Sequence, residues 1–319
     1  MKSRSFSFAL TLLLTVGPLA ATADADSGSR APRATVDASR SIPRFHHIFT
    51  IVMENTSFAS IIGNPQAPFI NAIARQHAYA AHYFAVTHPS LPNYLALTGG
   101  DTFGITANCT DCSVDEPSIA DRVEASRRSW KAYMEAMPSP CFMGDAYPYV
   151  QKHNPFVYFD DIRSDPVRCG AHVVPYTQLA ADLVSARTTP SYVWITPDMC
   201  HDMHDCSISA GDTWLSQEVP KILRSPAFTT KNSLLVITWD EDDFTGSNQV
   251  ATVFVGPTVK RGYVSTAAYD HYSLLRTIEA AWRLRPLTSN DGSAQPMSDF
   301  FQRRPEDAGD DGADPGAEE

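Results

Sequence analysis

Three apolar runs in this chain each end on acidic residues, and that pattern limits the folds available to it. HHIFTIVMEN carries a run into Glu54 and Asn55, PSYVWITPD carries one into Asp198, and NSLLVITWDEDD carries one into Asp240, Glu241, Asp242 and Asp243. Unbroken β-branched and aromatic runs read as strands buried on both faces, the habit of parallel sheets. Ligands of open parallel sheets bind beyond the carboxyl ends of the strands. Three strands that deliver acids to one edge would therefore gather a carboxylate cluster at one site. Such a cluster repels itself unless it is protonated or bridged by a cation. For any one strand, a solvated loop accounts for the acid equally well; the three together point to a divalent metal.

The rest of the chain fits that frame. Candidate strands are His47–Met53, Ala81–Val86, Ser129–Met134, Tyr192–Thr196, Leu234–Trp239 and Val250–Val255. Candidate helices are Pro68–Arg75, Tyr94–Thr98 and onward, Ile119–Ala125, Gln178–Ala186, Trp214–Leu223 and Tyr272–Trp282. In the last, Leu274, Leu275, Ile278 and Ala281 share one helical face. Strands alternating with helices predict an α/β fold, with a mostly parallel sheet covered on both faces. Thr102–Ser118 and Pro138–Pro175 are rich in Cys, Pro, Gly and aromatics and read as loop excursions over one sheet edge.

The two ends differ from this core. Lys2 and Arg4 precede an apolar run from Phe8 to Val16, and small residues follow to Ala25. That is the pattern of a cleavable signal peptide, with cleavage after Ala23 or Ala25, so the chain is expected to be secreted. The run is too short to cross a bilayer comfortably, and no stable membrane insertion is expected. Residues 24–43 read as a flexible leader, 44–303 as one catalytic domain, and 304–319 as an acidic, disordered tail. The net charge of −11 argues against nucleic acid as a partner. Six cysteines in an exported chain predict disulfides; local pairing gives 109–112, 141–169 and 200–206, one of 15 connectivities. A thiolate zinc site is disfavoured, because only one CxxC exists.

Three further segments carry chemistry. In THPSLPNYLALTGG, Ser90 stands before a helix start, where N–H groups and the helix dipole favour an anion. An ordinary helix cap would read the same way. DMCHDMHDC gathers Asp198, His201, Asp202, His204 and Asp205 between two cysteines. His271 stands just before the Tyr272–Trp282 helix.

VMENTS, THPSLPNYLALTGG, KHNPFVYF, DMHD, LLVITWDEDD and DHYSLLRTIE occur in this order. With them the chain, over roughly residues 45 to 285, resembles the bacterial phosphoesterase family of secreted acid phosphatases and phospholipases C, within the alkaline-phosphatase superfamily. The nearest likeness is to secreted actinobacterial phosphatases, among them one active on phosphatidylinositol 3-phosphate. The resemblance implies a three-layer α/β/α sandwich and a hydrolase of phosphate monoesters. It implies Ser90 as nucleophile and Asn93 as a phosphate contact. It implies Glu54, Asn55, Ser90, Asp240 and Glu241 as metal ligands, and His271 as a catalytic group. Lys152 and His153 are implied near the phosphate. The two-zinc members have an Asp–His pair where Asp240–Glu241 stands, and a His where Asp202 stands. An all-oxygen ligand set favours Mg, Ca or Mn over Zn. One ion is then expected, with Asp202, His204 and His271 serving the phosphate and leaving group; a second ion held by Asp198, Asp202, His204 and His271 stays open. The expected substrate is a small phosphate ester or a phospholipid headgroup. The alternatives are a phospholipase C-type diesterase and a secreted binding protein without turnover. A sulfatase is disfavoured, since the nucleophile region holds no Cys- or Ser-x-Pro-x-Arg.

Overall fold

The computed structural model describes residues 41–302. The expected signal peptide, most of the leader and the acidic tail lie outside them. Ile42 and Phe45 are already buried in the core, so packing begins within the last residues assigned to the leader.

Eight strands form one sheet. They are β1 (His47–Met53), β2 (Ala78–Phe84), β3 (Trp130–Met134), β4 (Val173–Pro175), β5 (Tyr192–Thr196), β6 (Ser233–Trp239), β7 (Thr252–Val255) and β8 (Tyr263–Asp270). Their order is β4-β3-β5-β1-β6-β7-β2-β8. β1 pairs in parallel with β5 and β6, β3 with β4 and β5, and β2 with β8. β7 runs antiparallel to both β6 and β2, which leaves those two strands pointing the same way. Seven carboxyl ends therefore open on one edge. Every residue of β1, β5 and β6 is buried, as their unbroken apolar runs require.

Some elements differ from expectation. β4 and β8 are unpredicted edge strands: β4 has three residues, and β8 (YVSTAAYD) is exposed at alternate positions and has a weak apolar pattern. Only Leu179–Asp182 of the Gln178–Ala186 segment is α-helical, after a 3-10 turn at Tyr176–Gln178. The 138–175 excursion holds short helices as well as β4. The three local disulfides are the ones present: Cys109–Cys112, Cys141–Cys169 and Cys200–Cys206.

The helix Ser90–Gly99 is buried at every residue. It stops at Gly100, whose φ of +78° is the left-handed region. A Cβ there would lie 2.6 Å from Asp291 Oδ1, so glycine alone fits. Asp291 accepts the backbone N–H of Leu287 and of Thr288, each at 2.7 Å. Beside it lies fully buried Glu279. Burial, and then Asp291, push the Glu279 carboxyl from 4.5 up to about 9. Between those values the folded chain holds a proton that the unfolded chain releases, so this group costs stability as pH rises through the window. Glu279→Gln is expected to stabilise the protein at pH 8 by on the order of a few kcal/mol and to change little at pH 4. Urea unfolding at the two pH values checks this; an equal gain at both would contradict it.

Candidate active site

Five segments meet at this edge of the sheet. β1 delivers Glu54 and Asn55, β6 delivers Asp240 and Glu241, and the turn after β2 delivers His88 and Ser90. β1 and β6 pair along their full length, and the Asp240 N–H donates to Met53 O at 3.0 Å, which fixes the two acid pairs side by side. The helical turn Gln151–His153 brings Lys152 and His153, and the loop after β5 brings Asp202 and His204. The Glu54 N–H donates to Asp202 O at 2.8 Å, tying that loop to β1.

Ser90 is the first residue of its helix, with Pro89 at the cap position. Pro92 falls in the first turn, where a missing N–H leaves no helical bond unmade. The Ser90 hydroxyl is buried, 3.2 Å from Glu54 Oε2 and 3.1 Å from Glu241 Oε1. The Asn55 amide touches the same two oxygens: turned nitrogen-inward, it would donate to Glu54 Oε2 at 2.9 Å and Glu241 Oε1 at 3.2 Å. Turned oxygen-inward, it faces only acceptors, an arrangement that needs a cation. Asn55 holds this place with φ +41°, and its N–H donates to Asp240 Oδ1 at 3.3 Å. Asp240 Oδ2 is buried without a protein partner.

Burial pushes Glu54 and Glu241 up to about 7, and holds Asp240 well above the usual carboxylate range. The charges of Glu54 and Glu241 add to the shift of Asp240. Such shifts belong to functional sites and to metal cages alike. The donor set Glu54, Asn55, Ser90, Asp240 and Glu241 is entirely oxygen and fits a hard divalent cation. The five residues expected as ligands stand together here, with His88 and His153 also touching the acids among them.

Beside this cage lies a histidine cluster. His153 is buried, with Nε2 3.0 Å from Glu54 Oε1 and Nδ1 3.4 Å from Asp202 Oδ2. Its ring stacks on Tyr94 at 5.4 Å. Burial pushes Asp202 up to about 7 and His153 down to about 4. Lys152 Nζ lies 3.2 Å from His204 Nε2, and His204 Nδ1 lies 2.7 Å from Asp205 Oδ1. Glu54, His153 and His204 each offer an atom within 4.8 Å of the others.

Two expected site residues face elsewhere. Asn93 Oδ1 accepts the N–H groups of Val86 and Thr87, and its Nδ2 donates to Thr87 O and Pro89 O. Its amide is saturated by its own loop, so in place of the expected phosphate contact it holds the turn that presents Ser90. His271 is fully buried, with Nδ1 3.0 Å from the Tyr83 hydroxyl and Nε2 2.6 Å from Asp240 O. Both ring nitrogens are occupied, so it braces the Asp240 backbone and has no nitrogen left for substrate or metal. The possible second set of Asp198, Asp202, His204 and His271 is not assembled. Asp198 sits instead with Glu135 and His201, where Glu135 Oε2 is 3.0 Å from His201 Nδ1.

Sequence reasoning missed His88, Tyr94 and Glu135. His88 Nδ1 lies 2.6 Å from Glu241 Oε2. Its position inside the THPSLPNY segment was the available signal. Tyr94 ends the same segment; for Glu135 there was no signal, since its partners Asp198 and His201 are distant in sequence.

Comparison with known proteins follows this geometry. A model described as the Phosphoesterase family matches residues 64–285. The chain is 36% identical to a phosphatidylinositol-3-phosphatase of Mycobacterium tuberculosis, over 94% of this chain and 97% of the relative. It is 33% identical to a phosphate-repressible acid phosphatase of Penicillium chrysogenum, over 87% and 72% of the two chains. Among solved structures, it is similar to an alkaline-phosphatase-superfamily protein from Vibrio parahaemolyticus, with a TM-score of 0.57 and 11% identity. That match covers 79% of this chain and 70% of the other, and it supports the fold alone.

Proposed function

The chain belongs to the phosphoesterase family and is a hydrolase acting on phosphoric esters, and from there we propose that it is a secreted phosphomonoesterase that uses Ser90 as its nucleophile. The observation that carries this reading is the place of Ser90 Oγ, buried between Glu54 and Glu241 at 3.2 and 3.1 Å. A hydroxyl set among carboxylates at a helix N-terminus is poised to lose its proton and to meet an anion.

Glu54, Asn55, Asp240, Glu241 and Ser90 Oγ would hold a divalent cation, which when bound supplies positive charge for the phosphate and lowers the pKa of the serine hydroxyl. The remaining work falls to side chains. Ser90 Oγ passes its proton to the Glu241 carboxylate it touches and attacks phosphorus in line; the Oγ–P bond forms as the bond to the leaving oxygen breaks, and Glu241 returns the proton to Oγ when water cleaves phosphoserine. Asn93 fixes the turn that aims Ser90, and His271 fixes the backbone of Asp240. Lys152 supplies positive charge to the phosphoryl oxygens, with His204 beside it. Once Lys152 turns from His204 Nε2 to the phosphoryl oxygens, that nitrogen gives a proton to the leaving oxygen and later takes one from the water that attacks phosphoserine, while Asp205 holds Nδ1. Asp202 orients His153 against Glu54. Two in-line displacements give net retention at phosphorus.

The Lys152–His204 pair favours a monoester, whose dianion takes more positive charge than a diester. Phosphatidylinositol 3-phosphate, the substrate named for the mycobacterial relative, is one such monoester. Export is supported by the three disulfides, and no helix among the described residues is long and apolar enough to cross a membrane. The test pairs p-nitrophenyl phosphate with bis(p-nitrophenyl) phosphate and measures metal content by elemental analysis. We expect the monoester to be cleaved at least 100-fold faster (~2.7 kcal/mol, the scale of one or two charge-assisted contacts), with about one divalent ion per chain. Faster diester cleavage would favour the phospholipase C-type reading.

A further inference from the structure

The loop after β6 presents a bulky aromatic to solvent in a backbone conformation that disfavours it. Phe244 is 63% exposed and has φ +61°. A lone exposed phenylalanine needs no explanation, yet one at positive φ costs backbone energy that Gly or Asn would avoid. The loop is built to hold it there. Buried Asp242 clamps both ends: its Oδ1 accepts the Phe244 N–H at 2.8 Å, and its Oδ2 accepts the Asn248 N–H at 2.9 Å. Asn248 Oδ1 accepts the Asp242 N–H at 2.9 Å, and Asn248 Nδ2 donates to Thr87 O at 2.7 Å. The Phe244 loop is thereby bolted to the turn that carries Ser90.

The ring is also placed at the reacting centre. One face stacks on His88, with centroids 4.0 Å apart and planes 26° apart. His88 Nδ1 is 2.6 Å from Glu241 Oε2, and Glu241 Oε1 is 3.1 Å from the Ser90 hydroxyl. Two side chains thus separate the phenyl ring from the nucleophile. With one face on His88, the ring's exposure lies on its other side. Aromatic faces attract other flat apolar groups in offset or edge contacts.

We propose that Phe244 is a specificity-determining residue whose open face stacks on a flat, aromatic leaving group of the phosphate ester. This rests on the reading of Ser90 as the nucleophile. With the phosphoryl group beside Ser90, a flat leaving group that extends past His88 would meet the open face of the ring. A small polar leaving group such as glycerol has no such face to offer.

The experiment compares 1-naphthyl phosphate with glycerol 1-phosphate on the metal-loaded enzyme, for the parent and for Phe244→Ala, Phe244→Asn and Phe244→Trp. The ratio of kcat/KM, naphthyl over glycerol, is expected to fall about 3- to 10-fold in the alanine and asparagine variants, mainly through KM. Tryptophan should keep or raise it. Asparagine, at home at positive φ, should melt no lower than the parent, so that its loss is not one of folding. An equal fall on both esters through kcat would mean that Phe244 acts by steadying His88 and would overturn the proposal. So would an unchanged ratio. A parent enzyme that cleaves neither ester would overturn the phosphatase reading, and this inference with it.

Discussion

Ser90→Ala is expected to lower kcat on p-nitrophenyl phosphate by at least about 10⁴-fold, with little change in melting temperature. The two halves of this expectation have separate grounds. The loss in rate follows because, among the described residues, Ser90 supplies the hydroxyl that contacts both Glu54 and Glu241. The retained stability follows from the local structure. Pro89, not Ser90, is the cap of this helix, and no side-chain cap bond is made. Alanine also prefers a helix to serine. An ordinary structural serine would give the reverse pattern, with a modest rate effect and a lower melting temperature. Acid quenching of the reacting enzyme should trap phosphate on the parent and none on the variant. A variant within tenfold of the parent, or one that still traps phosphate, would sink the nucleophile assignment.

The contrast between Ser90 and Asn93 shows what the chain disclosed and what it withheld. The apolar runs of β1, β5 and β6 are buried on both faces, so their sequence alone marks them, and the residues after β1 and β6 locate the acid cluster, whereas Asp198 after β5 stands apart with Glu135 and His201. The Cys109–Cys112 and Cys200–Cys206 pairs are equally legible, because separations of 3 and 6 keep the partners close, whereas Cys141 and Cys169, 28 apart, meet only through the fold. Residue type at a motif position is legible too: Asn93 and His271 do stand beside the site. The direction in which their polar atoms turn is not. Asn93 turns to its own loop and His271 to Asp240 O and Tyr83, through bonds that depend on how strands pair. His88 reaches an acid 153 positions away, and no local pattern encodes that distance. β8 escaped because an edge strand solvated at alternate positions has no apolar run.

The oxygen cage leads to a second expected result of opposite sign in two assays. Asp240→Asn should lose at least about 10³-fold in kcat, on the scale of removing one preorganised charge-stabilising group. Yet, with both proteins stripped of metal, the variant should melt higher than the parent. Asp240 Oδ2 is buried without a partner, and Glu54 and Glu241 both oppose its charge. Asparagine keeps an amide oxygen to accept the Asn55 N–H, as Asp240 Oδ1 does now. It replaces the orphaned oxygen with an uncharged NH₂ group, which Glu54 and Glu241 do not oppose. Like-charge repulsion and an unpaired buried oxygen both disappear, a gain of about 1–3 kcal/mol. For a domain of this size each kcal/mol moves the melting temperature by about 2–4 °C. Adding back a divalent cation should then raise the parent's melting temperature more than the variant's, because only the parent keeps all its ligands. If the stripped variant melts lower than the stripped parent, Asp240 is a structural acid, and the cage is not held under strain for a metal.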